Sequence, residues 1–152
     1  MQQPKIVLFL CTGNYFRSRF SEELFNHWAR RMNLAWQAES RGLMEDMSNL
    51  KAQNVGRISP HTLKALQMRG ITPRAAGRWP RSVTREELEY AHRTIALKEQ
   101  EHRPMMRRRF PELVDRIEYW SVDDIDVGPA QQGILQAEQL LLKLLQQLRR
   151  EG

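Results

Sequence analysis

Cysteine is almost absent from this chain, because Cys11 is the single thiol among 152 residues. One cysteine cannot close an internal disulfide or build a cysteine-based metal cage, and it is typical of a reducing compartment. The four histidines show no pair at the spacing of metal ligands on a helix. We therefore expect neither a bound metal nor a cofactor.

Long hydrophobic runs are also absent, and no stretch approaches the length that crosses a bilayer. The apolar run KIVLFL, at residues 5–10, is too short for the core of a secretory signal, and no small-residue cleavage site follows it. We therefore expect a cytoplasmic protein with no membrane partner. With 41% apolar residues, the chain can bury one core, so a single domain over residues 1–152 is predicted.

Lysine is scarce, since 19 of the 24 basic residues are arginines, and the net charge is +6. The planar guanidinium fork suits bidentate recognition of phosphate or carboxylate groups. A nucleic-acid partner would also explain a basic surface, and the run RRRF at residues 107–110 motivates that alternative. No recognition motif accompanies the run, so we do not expect a nucleic-acid partner. A basic rim would equally attract acidic phosphopeptides.

Short apolar runs alternate with helix-type patterns along the whole chain. The runs predict strands at residues 5–10, 34–40, 93–98 and 116–122. Helices are predicted at residues 18–32, 59–70, 84–91, 99–110 and 130–150, the fourth of them exposed. This alternation predicts an α/β fold with a four-stranded parallel sheet and helices on both faces.

The loops that follow the first and fourth predicted strands cover residues 11–18 and 121–130. We call them the phosphate loop and the acid loop. Ligands of open parallel sheets bind beyond the carboxyl ends of the strands. The two loops are therefore expected to lie at one edge of the sheet and to form one site.

The phosphate loop, CTGNYFRS, joins the first strand to the N-terminus of a helix, where unpaired N–H groups can wrap an anion. Gly13 allows a tight turn and a close backbone approach, and Asn14 tolerates the left-handed conformation. Arg17 can bind two oxygens of a phosphate, and Ser18 can donate to the sulfur of Cys11. These surroundings favour a reactive thiolate over an inert buried thiol.

The stretch VLFLCTGNYFRS resembles the phosphate-binding loop of the low-molecular-weight protein-tyrosine-phosphatase family, C-x-G-N-x-x-R-S, which directly follows the first strand. The segments ESRGL, ISPHTLKALQMRGI, RSVTREELEYAHRTIALKEQEH and FPELVDRIEYWSVDD resemble later parts of the same family, a branch of the arsenate-reductase-like phosphatases. The resemblance implies that Cys11 and Arg17 are catalytic. It also implies a substrate-binding role for Thr12, Gly13, Asn14, Tyr15, Phe16 and Ser18.

A general acid is expected in the acid loop, where the candidates are Asp123, Asp124 and Asp126. The family places its acid in an Asp-Pro pair, and Asp124 aligns with that aspartate. Ile125 stands where proline would restrict the preceding residue. Asp124 is therefore the predicted acid, and Asp126 remains the alternative.

The resemblance implies a metal-independent hydrolase that cleaves phosphotyrosine, in a protein or a small molecule, or another aryl phosphate through a phosphocysteine intermediate. Phosphate or vanadate would bind in the same loop. Two alternatives stay open: a phosphate-binding regulatory relative with weak turnover, and an arsenate reductase that uses an external thiol. No oligomeric state is predicted.

Three departures from the family pattern bear on the site. Phe16 stands where many members carry a second cysteine, so this chain cannot protect Cys11 as an internal disulfide. Lys98 replaces a common aspartate, which we interpret as drift. The acid loop lacks the tyrosines that often wall a phosphotyrosine pocket, and an apolar wall is expected instead from Tyr15, Trp36, Met44 or Met47.

Overall fold

Four strands form one parallel sheet in the computed structural model, which describes residues 3–48, 54 and 56–152. The strands are Lys5–Cys11 (β1), Trp36–Gly42 (β2), Arg93–Ala96 (β3) and Glu118–Tyr119 (β4), and their spatial order is β2-β1-β3-β4. The helices are Arg17–Arg31 (α1), Pro60–Met68 (α2), Arg85–Tyr90 (α3), Glu99–Arg109 (α4) and Ala130–Glu151 (α5). A short 3-10 turn at Pro111–Leu113 precedes β4.

The register of the sheet brings the carboxyl ends of the strands together. Cys11, the last residue of β1, lies opposite Gly42 at the end of β2. Leu10 lies opposite Ala96, the last residue of β3. The phosphate loop and the acid loop therefore leave the same edge of the sheet, as predicted.

Helices cover both faces of the sheet, which confirms the predicted fold class. Residues of β1 alternate between two apolar clusters, with Val7 and Phe9 in one and Leu8 and Leu10 in the other. The first cluster includes residues of α1, α2 and α5, and the second includes residues of α3 and α4. The continuous apolar run of β1 is thus explained by burial on both faces.

The long helix α5 supplies the largest helical contribution to the first cluster. Its buried apolar residues recur at helical spacing, as the sequence pattern predicts. They are Ile134, Ala137, Leu141, Leu144, Leu145 and Leu148. None of the helices in the described part of the chain is long and apolar enough to span a bilayer.

Helix α4 corrects the expectation of an exposed helix. His102 and Met106 are fully buried, because this i, i+4 pair faces the sheet, whereas Arg107 and Arg108 after it are exposed. Because most residues of α4 are charged or polar, its sequence pattern does not reveal the narrow stripe of two buried residues. Strand β4 is also shorter than predicted, although backbone bonds from Trp120 to Ala96 and from Val122 to Leu97 continue the pairing beyond it.

Local capping groups mark the ends of α2 and the start of α3. Ser59 accepts a hydrogen bond from the backbone N–H of His61 at the start of α2, and Thr84 and Glu87 form a reciprocal capping box at the start of α3. Gly70 follows α2 with a φ of 69°, a left-handed conformation that glycine adopts without strain.

Candidate active site

The phosphate loop carries Cys11 from the end of β1 to the base of a turn that enters helix α1. The thiol is 3% exposed, and its Sγ lies 2.9 Å from the hydroxyl of Ser18. The loop reverses direction at Asn14, which has a φ of 52°. Asparagine tolerates this left-handed conformation better than most residues, so its place in the motif has a structural reason.

The Asn14 side chain lies beneath the loop and is fully buried. Its amide nitrogen donates to the hydroxyls of Ser18 and Ser40, at 2.9 and 3.0 Å. Its amide oxygen accepts from the Arg78 guanidinium at 3.0 Å and from the backbone N–H of Arg81 at 3.1 Å. All of the amide's polar atoms are satisfied, which fixes the turn above it.

A second layer of polar contacts supports this amide. Ser40 donates to a carboxylate oxygen of Glu22 at 2.5 Å, and Arg78 donates to both Glu22 and Ser40. Burial raises the pKa of Glu22, and the Ser40 hydrogen bond and the Arg78 charge act in the opposite direction. A continuous hydrogen-bond network from Cys11 to Arg78 therefore supports the phosphate loop.

Arg17 is the first residue of α1 and is 3% exposed. It donates to both carboxylate oxygens of Glu101, at 2.9 and 3.1 Å, and to the carbonyl of Val122 at 3.2 Å. A longer contact of 3.4 Å joins it to Asp124. Burial would lower the pKa of Arg17, but the charges of Cys11 and Glu101 raise it overall, so the guanidinium stays charged.

Glu101 and its neighbour His102 are site residues that the sequence reasoning missed. Thr12 donates to Glu101 at 2.6 Å and also lies 3.1 Å from His102 Nε2. Burial, together with the charge of Arg17, lowers the pKa of His102 to about 4, so the ring is neutral. The signal that could have identified them is their position in the chain. They follow the carboxyl end of β3, and β3 lies in the sheet between the strands that lead into the two loops.

The acid loop brings Asp124 to the same cavity as Cys11. One carboxylate oxygen of Asp124 faces Arg17, and the other accepts from the backbone N–H of Ile125 at 2.8 Å. Asp126 is exposed, and it is not among the described residues that line the cavity. The geometry therefore favours Asp124 over Asp126 as the candidate acid.

Asp123 anchors the acid loop from below. Its carboxylate accepts hydrogen bonds from Lys98, from Gln132 at 2.8 Å and from Gln136 at 3.0 Å. The backbone N–H of Asp123 donates back to Gln136 at 2.8 Å. The Lys98 hydrogen bond and the two amide donors hold the pKa of Asp123 far below its ordinary value.

Lys98, which stands where the family commonly has aspartate, thus has a specific partner in Asp123. The replacement is therefore better explained by this ion pair than by drift. Gly133 completes the anchor, since a Cβ there would lie 2.2 Å from the carbonyl oxygen of Asp123. The acid loop therefore packs directly on the backbone of α5, and any larger residue at position 133 would push it away.

A cavity of about 360 Å³ opens between the two loops. Asn14 and Ser18 are not among its described lining residues, because their side chains lie under the loop. Of the residues expected to form an apolar wall, Tyr15 lines the cavity. Trp36 lies at the first position of β2, at the end of the strand away from the cavity. The lining consists of Cys11, Thr12, Gly13, Tyr15, Phe16, Arg17, Asn54, Ser59, Pro60, His61, Glu101, Asp124 and Ile125.

A larger groove, of about 640 Å³, runs along the outer edge of β2 and is lined mainly by arginines and glutamates. Cys11 does not line this groove, and the candidate active site is therefore the smaller cavity. Within residues 3–48, 54 and 56–152, no group of three or more histidines, cysteines or carboxylates is placed to hold a metal ion.

Comparison with known proteins gives a consistent result. The sequence model of the family described as low molecular weight phosphotyrosine protein phosphatase matches residues 6–151. No curated protein matches the chain.

Solved structures share the fold. A low molecular weight protein tyrosine phosphatase from T. tengcongensis is 24% identical, with a TM-score of 0.74 over 97% of this chain and 99% of that one. YfkJ from Bacillus subtilis is 21% identical, with a TM-score of 0.80 over 99% and 98%. The YwlE arginine phosphatase from Geobacillus stearothermophilus is 22% identical, with a TM-score of 0.68 over 97% and 92%.

These structures show the fold, and the family model covers almost the whole chain. The cysteine, the arginine and the turn residues that define the phosphate loop all lie within the matched range. We conclude that the chain belongs to the low molecular weight phosphotyrosine protein phosphatase family, and this membership supports a cysteine-based phosphatase activity.

Proposed function

We propose that this protein hydrolyses aryl phosphate monoesters, phosphotyrosine among them, through a phosphocysteine intermediate. The observation that carries the proposal is the convergence of Cys11, Arg17 and Asp124 on one cavity at the carboxyl edge of the sheet. A nucleophile, a cationic clamp and a carboxylic acid are the three groups that cleavage of a phosphate ester requires.

In the first step, the Cys11 thiolate attacks phosphorus while the bond from phosphorus to the phenolic oxygen breaks. Asp124, in its protonated form, gives its proton to the departing oxygen, so a neutral phenol leaves. The charge of the phosphoryl oxygens is carried by Arg17 and by the N–H groups of the phosphate loop, which leads into the N-terminus of helix α1. The product of this step is phosphocysteine and an ionised Asp124.

In the second step, Asp124 takes a proton from a water molecule as the water oxygen attacks phosphorus. The bond from phosphorus to sulfur breaks, and inorganic phosphate and the Cys11 thiolate are released. The aspartate returns to its protonated form, so one residue serves as acid and then as base. No other reactant is consumed.

The shape of the cavity supports an aryl substrate. Tyr15, Phe16 and Ile125 contribute apolar surface beside Cys11, and the ring of His61 contacts Phe16 edge-on, with the centroids 6.1 Å apart. An aromatic leaving group can bury its ring against this surface, because aromatic rings gain both area and specific geometry from such contacts.

The test is turnover of an aryl phosphate in the presence of a chelator, for the parent chain and for Cys11→Ser. The expected result is release of phenol and phosphate by the parent, inhibition by vanadate, and no turnover by the variant. Turnover by Cys11→Ser would contradict the proposal. Binding of phosphate or vanadate without turnover in the parent would favour a regulatory relative.

Two further substrates sharpen the same assay. Arsenate supplied with an external thiol tests the reductase alternative, which would oxidise the thiol because this chain has no second cysteine. Phosphoarginine tests a phosphoryl–nitrogen substrate, since a relative with the same fold is named an arginine phosphatase. Higher kcat/KM for either substrate than for the aryl phosphate would replace the proposed substrate class.

A further inference from the structure

Glu101 makes the shortest charged contact of Arg17, although it lies 84 residues away in sequence. Its two oxygens face the two terminal nitrogens of the guanidinium, so the pair is bidentate and end-on. Arg17 is 3% exposed and Glu101 is 37% exposed. Both side chains line the cavity, and the carboxylate is the more exposed of the two.

A chain of directed hydrogen bonds holds the Glu101 carboxylate. The backbone N–H of Lys98 donates to Nδ1 of His102 at 3.0 Å, so the neutral ring carries its hydrogen on Nε2. That nitrogen lies 3.1 Å from the Thr12 hydroxyl, which therefore accepts from His102 and donates to Glu101. The chain runs in one direction and ends on the carboxylate that contacts Arg17.

The contacts of Arg17 show which edge a phosphate can use. Nη1 donates to Glu101 and to the carbonyl of Val122, so both of its hydrogens have protein partners. Nη2 donates to Glu101 at 3.1 Å and to Asp124 at 3.4 Å. The contact with Asp124 is the longest, and a phosphoryl oxygen can replace it at the edge formed by Nη2 and Nε.

We propose that Glu101 is a positioning residue, which holds the end-on face of Arg17 so that the Nε–Nη2 edge meets the phosphoryl oxygens. The inference rests on the proposed function. Donors stabilise a transition state best when they are already aimed at the developing charge. A free arginine side chain would lose rotamer entropy on binding, and the end-on pair removes that loss beforehand.

A competing interpretation makes Glu101 an inhibitor that occupies the phosphate site of Arg17. A carboxylate beside a phosphate dianion repels it, so removal of Glu101 would then tighten phosphate binding. Positioning predicts the opposite sign, because a guanidinium without its anchor binds the anion less well. The engagement of Nη1 by both Glu101 and Val122 favours positioning, since that nitrogen is directed away from the edge left for phosphate.

The experiment compares the parent with Glu101→Gln and Glu101→Ala, and uses Glu99→Gln as the matched control. Glu99 lies on the same turn of α4, but its carboxylate pairs with Arg103 at the surface. We expect kcat on an aryl phosphate to fall about 10-fold for Glu101→Gln and about 100-fold for Glu101→Ala, because small misplacements of a catalytic group have effects of that order. The control should match the parent.

Calorimetric titration with inorganic phosphate supplies a readout that does not depend on turnover. The affinity for phosphate should weaken several-fold in Glu101→Ala, although the variant carries one negative charge less. Unchanged or tighter phosphate binding would overturn the inference, whatever happens to kcat. A thermal melt of each variant establishes that the loss does not come from unfolding.

The two readouts also separate this inference from the proposed function. A parent that binds phosphate more tightly than Glu101→Ala does, but hydrolyses none of the substrates, would refute the proposed function and support the positioning role. A parent that hydrolyses aryl phosphate, with Glu101 variants equal to it in kcat and in phosphate affinity, would refute the positioning role alone.

Discussion

The phosphate loop and the acid loop supply opposite halves of one site, and they are held by different means. The phosphate loop stands on buried polar groups, with Asn14 and Ser18 fully buried beneath it. The acid loop is exposed at Ile125 and Val127, and it is held by the buried side chain of Val122 and by the hydrogen bonds of Asp123. A nucleophile must be placed in advance, whereas an acid that serves two steps in turn must reach both a leaving group and a water.

The loops meet at Arg17, which contacts Asp124 on one side and Glu101 on the other. Glu101 thus connects the phosphate loop to helix α4 through Arg17. Lys98 connects the acid loop to the same segment through Asp123. The start of α4 is therefore a common support for both loops, although the phosphate-loop motif includes neither residue.

The largest effect is expected from the acid itself. Asp124→Asn should lower kcat on an aryl phosphate by about 100-fold to 1,000-fold, because general acid catalysis contributes that much. The basic limb of its pH–rate profile should disappear. Asp126→Asn is the matched control on the same loop, and it should keep both the rate and the limb.

If Asp126→Asn were the variant that lost the limb, the assignment drawn from the cavity would be reversed. A substrate with a good leaving group, such as nitrophenol, should suffer less from Asp124→Asn than a poor one, because it needs less protonation. Equal losses for both substrates would contradict the acid role.

Removal of the support beneath the phosphate loop should have the next largest effect. Asn14→Ala leaves the hydrogen-bonding groups of Ser40, Arg78 and Arg81 short of a partner, so kcat should fall about 10-fold to 100-fold. The free energy of unfolding should fall by about 1–3 kcal/mol in urea titration.

Asn26→Ala is the control for that loss of stability. Asn26 exchanges two hydrogen bonds with the backbone of Ala38 on β2, away from the cavity. It should lose a similar free energy of unfolding while kcat stays at the parent value. A comparable loss of kcat in both variants would mean that Asn14 acts through stability alone.

The anchor of the acid loop should matter less than the acid. Lys98→Met removes the cation that contacts Asp123, and a looser loop should lower kcat about 3-fold to 10-fold with little change in phosphate affinity. Arg69→Met, which breaks an ion pair between α2 and α5 with Glu138, is the control. Weaker phosphate binding in Lys98→Met would instead tie Lys98 to the phosphate loop.

A last effect, on stability in mild acid rather than on the rate, is expected from the neutral ring of His102. Its folded pKa of about 4 is below the unfolded value of 6.5, so the unfolded chain binds a proton first as the pH falls. The folded state should therefore lose stability between pH 6.5 and pH 4, by roughly 3 kcal/mol at most. Urea titrations across that range should show a shallower loss for His102→Gln than for the parent.

The parts of the site that could be predicted from sequence lie within short segments. Eight consecutive residues contain the nucleophile, the turn and the arginine, and a strand and a helix flank them, so local rules suffice. The parallel sheet and the common edge of the two loops followed from the alternation of strands and helices. Cys11 and Arg17 could therefore be predicted from local rules, whereas Asp124 was preferred to Asp126 because of the resemblance to the family.

The supports could not be predicted, because they depend on contacts between distant segments. Arg78 meets Asn14 across 64 residues, and Glu101 meets Arg17 across 84. In an arginine-rich chain no spacing marks the arginine or glutamate that will turn inward. Helix α4 was expected to be exposed because its composition is charged, and the buried pair of His102 and Met106 is too short a stripe to change its average character.

The most direct test of the proposed chemistry is to look for the phosphoryl group on Cys11 itself. The parent and Asp124→Asn are mixed with an aryl phosphate, quenched in acid within milliseconds, and digested for mass spectrometry. We predict a phosphorylated peptide that contains Cys11 and has a labile phosphorus–sulfur bond. Its amount should rise and then fall as the substrate is consumed. Sustained turnover with no such peptide, or an adduct on any other residue, would contradict nucleophilic catalysis by Cys11.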